Sequence, residues 1–171
     1  VLKLSSNLDN PTSVLYEPRE NKQRMSIANK SRLAWGNNIH LISTHESMVM
    51  KKVIKGFQKD HNLLILTDEE NDGYVHAPSL GREIPYSGNR WLASRLAVEF
   101  NIDIIPVYVE RVKPVRFILH VESIIHPQLS KDNEQSARII ADKINELFDK
   151  WVRQCPQHWY WLPHLDLNKK P

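Results

Sequence analysis

The chain has 171 residues, 41% of them apolar and 25% charged, enough to bury one sizeable core and too few for two. Its net charge at pH 7 is only +3, and its longest apolar runs, Leu63 to Leu66 and Ile104 to Val109 with Pro106 inside it, fall far short of the roughly 18 residues that a membrane-spanning helix needs. One cysteine, Cys155, excludes an internal disulfide and a zinc site built on several thiolates, and fits a reducing compartment.

In chain order, Val1 to Thr12 has neither a helical nor a strand period, and no secretory signal opens the chain. Because it begins on valine, a fragment or a processed product is expected. Ser13 to Tyr16 is an apolar run stopped by Glu17-Pro18 and predicts a strand, since a residue before proline is pushed toward extended geometry. A helix follows from Asn21 to Trp35, a turn at Asn37-Asn38, and a strand from Ile39 to Ile42. Thr44 is expected to cap an amphipathic helix on which Val49, Val53, Ile54 and Phe57 recur at helical spacing, ending between Gly56 and Asp60.

Asn62 to Thr67 reads as a strand buried on both faces and ending in the acidic cluster Asp68, Glu69, Glu70 and Asp72. From Asn71 to Ser87, glycine and proline at Gly73, Pro78, Gly81 and Pro85 predict a long ordered loop, and such loops tend to carry function. Gly88 to Phe100 returns to the helical period. Ile102 to Val109 and Val115 to Val121 are β-branched runs joined through Lys113-Pro114, and Asp132 to Gln154 is an amphipathic helix stopped by Cys155-Pro156. Strands alternating with helices predict an α/β fold with a mixed sheet covered by helices, in a single domain over 1–171 with 1–12 irregular and 163–171 a tail.

Charge is unevenly placed. Between Arg19 and Asp60 nine Lys or Arg stand against three Asp or Glu, so that stretch carries +6 and suits phosphates, anionic lipid or an acidic carrier protein, or is simply a solvated helix face. Nucleic acid is not an expected partner, because no recognisable binding motif accompanies the charge. The eight histidines form no metal-ligand spacing, and no Gly-rich phosphate loop, nucleophile elbow or Cys-His pair is present, so neither a metal nor a cofactor is expected.

The most informative residues form an ordered series. Val14-Leu15-Tyr16-Glu17-Pro18-Arg19 comes first, then Leu64-Ile65-Leu66-Thr67-Asp68-Glu69-Glu70, then Ala77-Pro78-Ser79-Leu80-Gly81-Arg82. Gly88-Asn89-Arg90-Trp91-Leu92-Ala93, Ile105-Pro106-Val107-Tyr108 and Pro156-Gln157-His158-Trp159-Tyr160-Trp161 complete it. In this order and approximate spacing the chain resembles the bacterial lipid A late acyltransferases, the lauroyl and myristoyl transferases, from about Pro11 to Leu162. In that family a strand ends in Asp-Gln-Asp, a loop carries Pro-Phe-Phe-Gly, a Gly-led helix carries Leu-Ala, a strand reads Pro-Val and the tail reads Pro-Glu-Gln-Trp-x-Trp.

The sequence also departs from the family. Glu17 stands where Arg is usual, Ser79 and Leu80 replace the paired Phe, and Pro163-His164-Leu165 replaces a basic triplet. The family's His-x4-Asp/Glu motif should precede Val14, and no histidine of this chain has an acid five residues on. The resemblance implies a glycerolipid-acyltransferase-like α/β fold, incomplete at its N-terminus. It implies transfer of a fatty acyl chain from acyl carrier protein to a hydroxyl of a lipid A precursor, at the cytoplasmic face of the bacterial inner membrane, with that membrane surface as a further partner.

An alcohol is a poor nucleophile at neutral pH and needs a base such as histidine, so this chain alone is expected to be inactive and to hold no catalytic residue. Asp68 is the supporting candidate, read either as a site-organising carboxylate or as a helix or loop cap. Arg32 and Arg82 are candidates for receiving substrate phosphates, or else form structural ion pairs. Gly81 and Gly88 are substrate-binding candidates whose first duty is backbone geometry. The aromatic tail from Trp159 to Trp161, near Lys169 and Lys170, reads as packing in preference to a membrane anchor. The alternative to an enzyme is a non-catalytic remnant or a module binding lipid or carrier protein.

Overall fold

A computed structural model describes residues 9–18, 21–33, 36–71, 74–128 and 132–169. Most of the irregular opening, Trp35, the Asp72-Gly73 pair and Lys170 lie outside the described residues. The fold is mixed α/β, as the alternation of elements predicts, and divides into two compact units, Val1–Ile65 and Leu66–Pro171. Where one mixed sheet is expected from the sequence, the described strands distribute over three small sheets.

In the first unit, β1 (Thr12–Tyr16) lies between β2 (Ile39–Ser43) and β3 (Asn62–Leu64), all parallel, in the order β2-β1-β3. Parallel neighbours require crossovers, and helices α1 (Lys22–Leu33) and α2 (Val49–Phe57) supply them. Helix α1 starts where the sequence predicts, because the Asn21 side chain accepts the backbone N–H groups of Gln23 and Arg24 at 3.0 and 3.1 Å. Helix α2 starts later than expected. Thr44 is no cap: it lies in the turn after β2, four residues before the helix opens at Met48, a left-handed residue without a side-chain cap. Val14, Ile42 and Val53 are buried in this unit, Val53 to 1% exposure.

The predicted buried strand from Asn62 to Thr67 is corrected in length and in burial. Only Asn62–Leu64 pairs, on one side, with β1, and Leu66 is 66% exposed. An edge strand has one solvated flank, so a run of aliphatic residues there does not report burial on both faces.

The second unit opens with a hairpin that the sequence reads as loop, β4 (Glu69–Asn71) against β5 (Tyr74–Ala77). Two longer elements match their predicted ranges: α3 (Gly88–Phe100), and α4 (Asn133–Gln154), whose cap Asp132 accepts the Gln135 N–H at 3.0 Å. The β-branched runs form a second antiparallel hairpin, β6 (Val107–Lys113) with β7 (Arg116–Val121), turning at Lys113-Pro114 as expected.

Ala97 and Val98 of α3 pack with Ile125 and with Ala137, Ile140 and Ile144 of α4, and Trp91, Ile104 and Leu147 close over them. Each larger aliphatic side chain buried this way contributes about 1.5–3 kcal/mol. This core fixes α4 beside α3 and so aims the opposite stripe of α4 at the loop after β5. No described helix is long and apolar enough to cross a membrane.

Candidate functional site

In the first unit the strand order puts a topological switch beside β1, and open parallel sheets bind ligands beyond the carboxyl ends of strands at such points. Tyr16 closes β1 there, and Arg32, near the end of α1, lays its guanidinium over the Tyr16 ring at 4.1 Å. Its Nη1 donates to Asn29 Oδ1 at 3.1 Å. Arg32 is thus held at the carboxyl edge of the sheet, where an anionic group would approach.

At the other end of the same strands lies a group that sequence reading missed. Ser13 Oγ is 3.2 Å from His61 Nδ1, and the His61 ring stacks on His40 with centroids 4.7 Å apart. Burial first, then His40 and Lys59, hold the His61 imidazole below its ordinary value and disfavour its charged form. The pairing of Ser13 with His40 across β1 and β2 could signal the cluster only once the register is known.

In the second unit the motif around Ser79 to Arg82 closes into a clamp on α4. Between β5 and α3 the chain turns through two successive left-handed residues, Leu80 (φ 51°) and Gly81 (φ 95°). Gly81 is the residue that tolerates this without a Cβ penalty, and open space surrounds it. Asp149 of α4 accepts the Ser79 hydroxyl at 3.0 Å and the Leu80 N–H at 3.0 Å, while Asn145 accepts the Ser79 N–H at 2.9 Å and donates to Ser79 Oγ at 3.0 Å. Arg82 closes the turn from inside, donating to the carbonyls of Ser79, Pro78 and Val75 at 3.1, 3.0 and 3.0 Å. Its guanidinium therefore holds the loop, and burial opposes its charge while Asp149 and Asp166 support it.

One turn earlier on α4, Asp142 accepts the Tyr86 hydroxyl at 3.0 Å, and Arg90, 2% exposed, donates to the carbonyls of Ala141 and Pro85 at 3.0 and 2.9 Å. Asp142, Asn145 and Asp149 share a stripe at helical spacing, which in sequence is indistinguishable from a solvated face. At the head of α3, Gly88 adopts φ 69° and the Glu69 carboxylate accepts the Asn89 N–H at 2.9 Å. Glu69 thereby occupies the positive end of the helix dipole. An open groove of about 530 Å³ between Glu122–Gln128 and α4, lined by Lys143, Glu146 and Lys150 among others, contains none of the predicted site residues.

Asp68 sits just before β4. Burial pushes its carboxyl above the ordinary range, against its own backbone N–H and the Trp159 indole, which pull it down. The indole acts at a remove, since Trp159 Nε1 is buried without a partner in hydrogen-bond geometry. Trp159 also packs edge-on against Phe148 with centroids 6.0 Å apart, and Trp151 stacks on Tyr108 at 4.7 Å, so much of the aromatic tail and the end of α4 serves packing.

The sign of the Asp68 shift separates its two readings. An unfolded aspartate ionises near pH 4, whereas the folded one resists, so stability falls as pH rises from about 4 through the raised value. Asp68→Asn is expected to raise the urea midpoint at pH 7 and to leave it unchanged below about pH 4. A capping carboxylate would give the opposite, a loss at pH 7. Among the described residues no cluster of three metal-ligating side chains occurs.

The family model for bacterial lipid A biosynthesis acyltransferases matches residues 6–165, a span that includes β1, Asp68, the clamp and the aromatic tail. A search of curated proteins finds no significant match. With the motifs in family order and a match over nearly its whole length, the chain belongs to the bacterial lipid A biosynthesis acyltransferase family.

Proposed function

We propose that the protein takes part in lipid A biosynthesis as the acceptor-holding portion of an acyltransferase that moves a fatty acyl chain from acyl carrier protein to a hydroxyl of a lipid A precursor. The observation that carries this reading is the family match over residues 6–165. Arg32, at the carboxyl edge of the first sheet, receives a phosphate of the acceptor, since guanidinium presents fork-shaped donors to such oxygens. Arg82 and Gly81 shape the clamped loop, Gly88 sets the entry to α3, and Asp68 organises the site from a half-buried position.

In this reading the reaction runs at the cytoplasmic face of the bacterial inner membrane. The thioester is the better electrophile and the hydroxyl the poor nucleophile, so the step needs a base to take the hydroxyl proton as oxygen attacks the acyl carbon and the carrier thiolate leaves. No histidine here is followed by an acid five residues on, so that base is supplied from outside these 171 residues. His61 does not replace it, because its Nδ1 faces Ser13 and, among the described residues, the charged groups that act on it are His40 and Lys59.

The experiment is acyl transfer by the purified chain. No product is expected from acyl carrier protein and a lipid A precursor, while the precursor itself binds and Arg32→Ala weakens that binding by about tenfold, the loss of one charge-assisted hydrogen-bonding group. A binding module without any enzymatic partner is the second reading. It is favoured if precursor or carrier protein binds equally well and no added segment carrying His-x4-Asp/Glu restores transfer.

A further inference from the structure

The β6–β7 hairpin packs one face on Trp151 of α4 and leaves much of the other to solvent. On the covered face Tyr108 stacks between His120 and Trp151, at 4.4 and 4.7 Å, and Glu110 pairs with His120 at 2.8 Å. The register sets Val107 opposite Val121, Val109 opposite Leu119 and Arg111 opposite Phe117, which places these six on the other face. Val109, Phe117 and Val121 are 42%, 53% and 58% exposed, and at the turn Val115 is 91% exposed. Scattered exposed aliphatics need no explanation, but a contiguous apolar face running into an apolar tip marks a contact surface.

Charge identifies what it contacts. From Arg111 to Leu119 there are three cations, Arg111, Lys113 and Arg116, and no acid. The Arg111 guanidinium lies over the Phe117 ring at 5.1 Å, so its stem follows the apolar surface while its head stays outward. Basic side chains flanking a short apolar wedge fit a layered partner with phosphates outside and hydrocarbon beneath.

We propose that the tip of the β6–β7 hairpin docks on an anionic phospholipid surface, with Val115 and Phe117 entering the acyl boundary and Arg111, Lys113 and Arg116 at the level of the phosphates. This deepens the membrane-surface part of the reading above. Its test needs no acyl transfer, so the failure of either leaves the other standing.

The experiment is co-sedimentation of the full chain with vesicles of phosphatidylethanolamine containing about one-third phosphatidylglycerol, and with phosphatidylcholine vesicles as the neutral comparison. Binding to the anionic vesicles is expected, with little to the neutral ones and a steep loss in high salt. Val115→Asp should weaken binding about tenfold or more, and it should keep the parent urea midpoint because the side chain is already in water. The double variant Lys113→Gln/Arg116→Gln, which leaves the apolar tip intact, should weaken binding about fivefold for each cation removed.

Parent-like vesicle binding by both variants would overturn the proposal, as would absence of binding by the parent chain. Self-association of the parent that Val115→Asp abolishes, without vesicle binding, would assign the face to a second copy and overturn it equally.

Discussion

Gly88→Ala is expected to cost about 2–3 kcal/mol of stability. Two effects add. Gly88 sits at φ 69°, where an L side chain is disfavoured by about 1–2 kcal/mol. A Cβ at that position would also overlap the Glu69 carboxylate. A glutamate end can swing away, so the overlap itself is relieved, but only by giving up the bond from the Asn89 N–H that caps α3. A double-mutant cycle in urea denaturation separates the two. In a Glu69→Ala background the added cost of Gly88→Ala should fall to about 1 kcal/mol, the backbone part alone. Equal costs in both backgrounds would show that Glu69 does not cap the helix.

Asp149→Ala is the second large effect, a loss of about 2–4 kcal/mol. Its carboxylate receives the Ser79 hydroxyl and the Leu80 N–H, both part-buried, and truncation leaves those donors without an acceptor where water enters poorly. Leu80 at φ 51° is a non-glycine residue in the left-handed region, a conformation that persists only where its surroundings fix it. Releasing Leu80 therefore loosens the loop that carries Gly81 and Arg82. Asp149→Asn should lose less, about 1 kcal/mol, because its oxygen still accepts the Leu80 N–H while the Ser79 proton goes unmatched. Urea midpoints order the three proteins, and identical midpoints for alanine and asparagine would contradict the clamp.

Which parts of this structure are legible in the sequence follows from the range of the interactions. Helix α4 is readable because its 22 residues keep one apolar period, and α1 because Asn21 caps it locally; α3 matches its expected range although Arg90 and Ser94 share its buried face with Leu96, Ala97 and Val98. The Thr44 cap fails for a local reason too. A threonine with a polar residue three positions on fits the capping pattern, but here the Glu46 N–H turns back to the Ser43 carbonyl while the Glu46 carboxylate accepts the Ser43 N–H, and the helix begins only after Met48. The β4–β5 hairpin is hidden because Glu69-Glu70-Asn71 has little strand propensity and pairs through a neighbour, not through its own side chains.

The site divides the same way. Asp68, Gly81 and Gly88 stand at element ends and turns, where the sequence marks them, and the order of the motifs points to the family that the model match shows. The partners of those residues were not visible. Ser79 and Asp149 are 70 positions apart, and Glu69 and Asn89 are 20 apart. Asp142, Asn145 and Asp149 look like the wet side of an amphipathic helix until the loop is folded onto them. Arg90 is the sharpest instance: an arginine in a polar helix start is ordinarily exposed, and this one is 2% exposed because two carbonyls receive it.

In the proposed function this chain is an acceptor-binding portion whose base comes from elsewhere. Such a portion should bind its acceptor yet leave the bond-making step undone. The measurement that tests this most directly is incubation of the purified 171-residue chain with labelled acyl carrier protein thioester and a lipid A precursor, following label in the lipid. The account predicts retained precursor binding and no labelled product. Labelled lipid formed by this chain alone would contradict it.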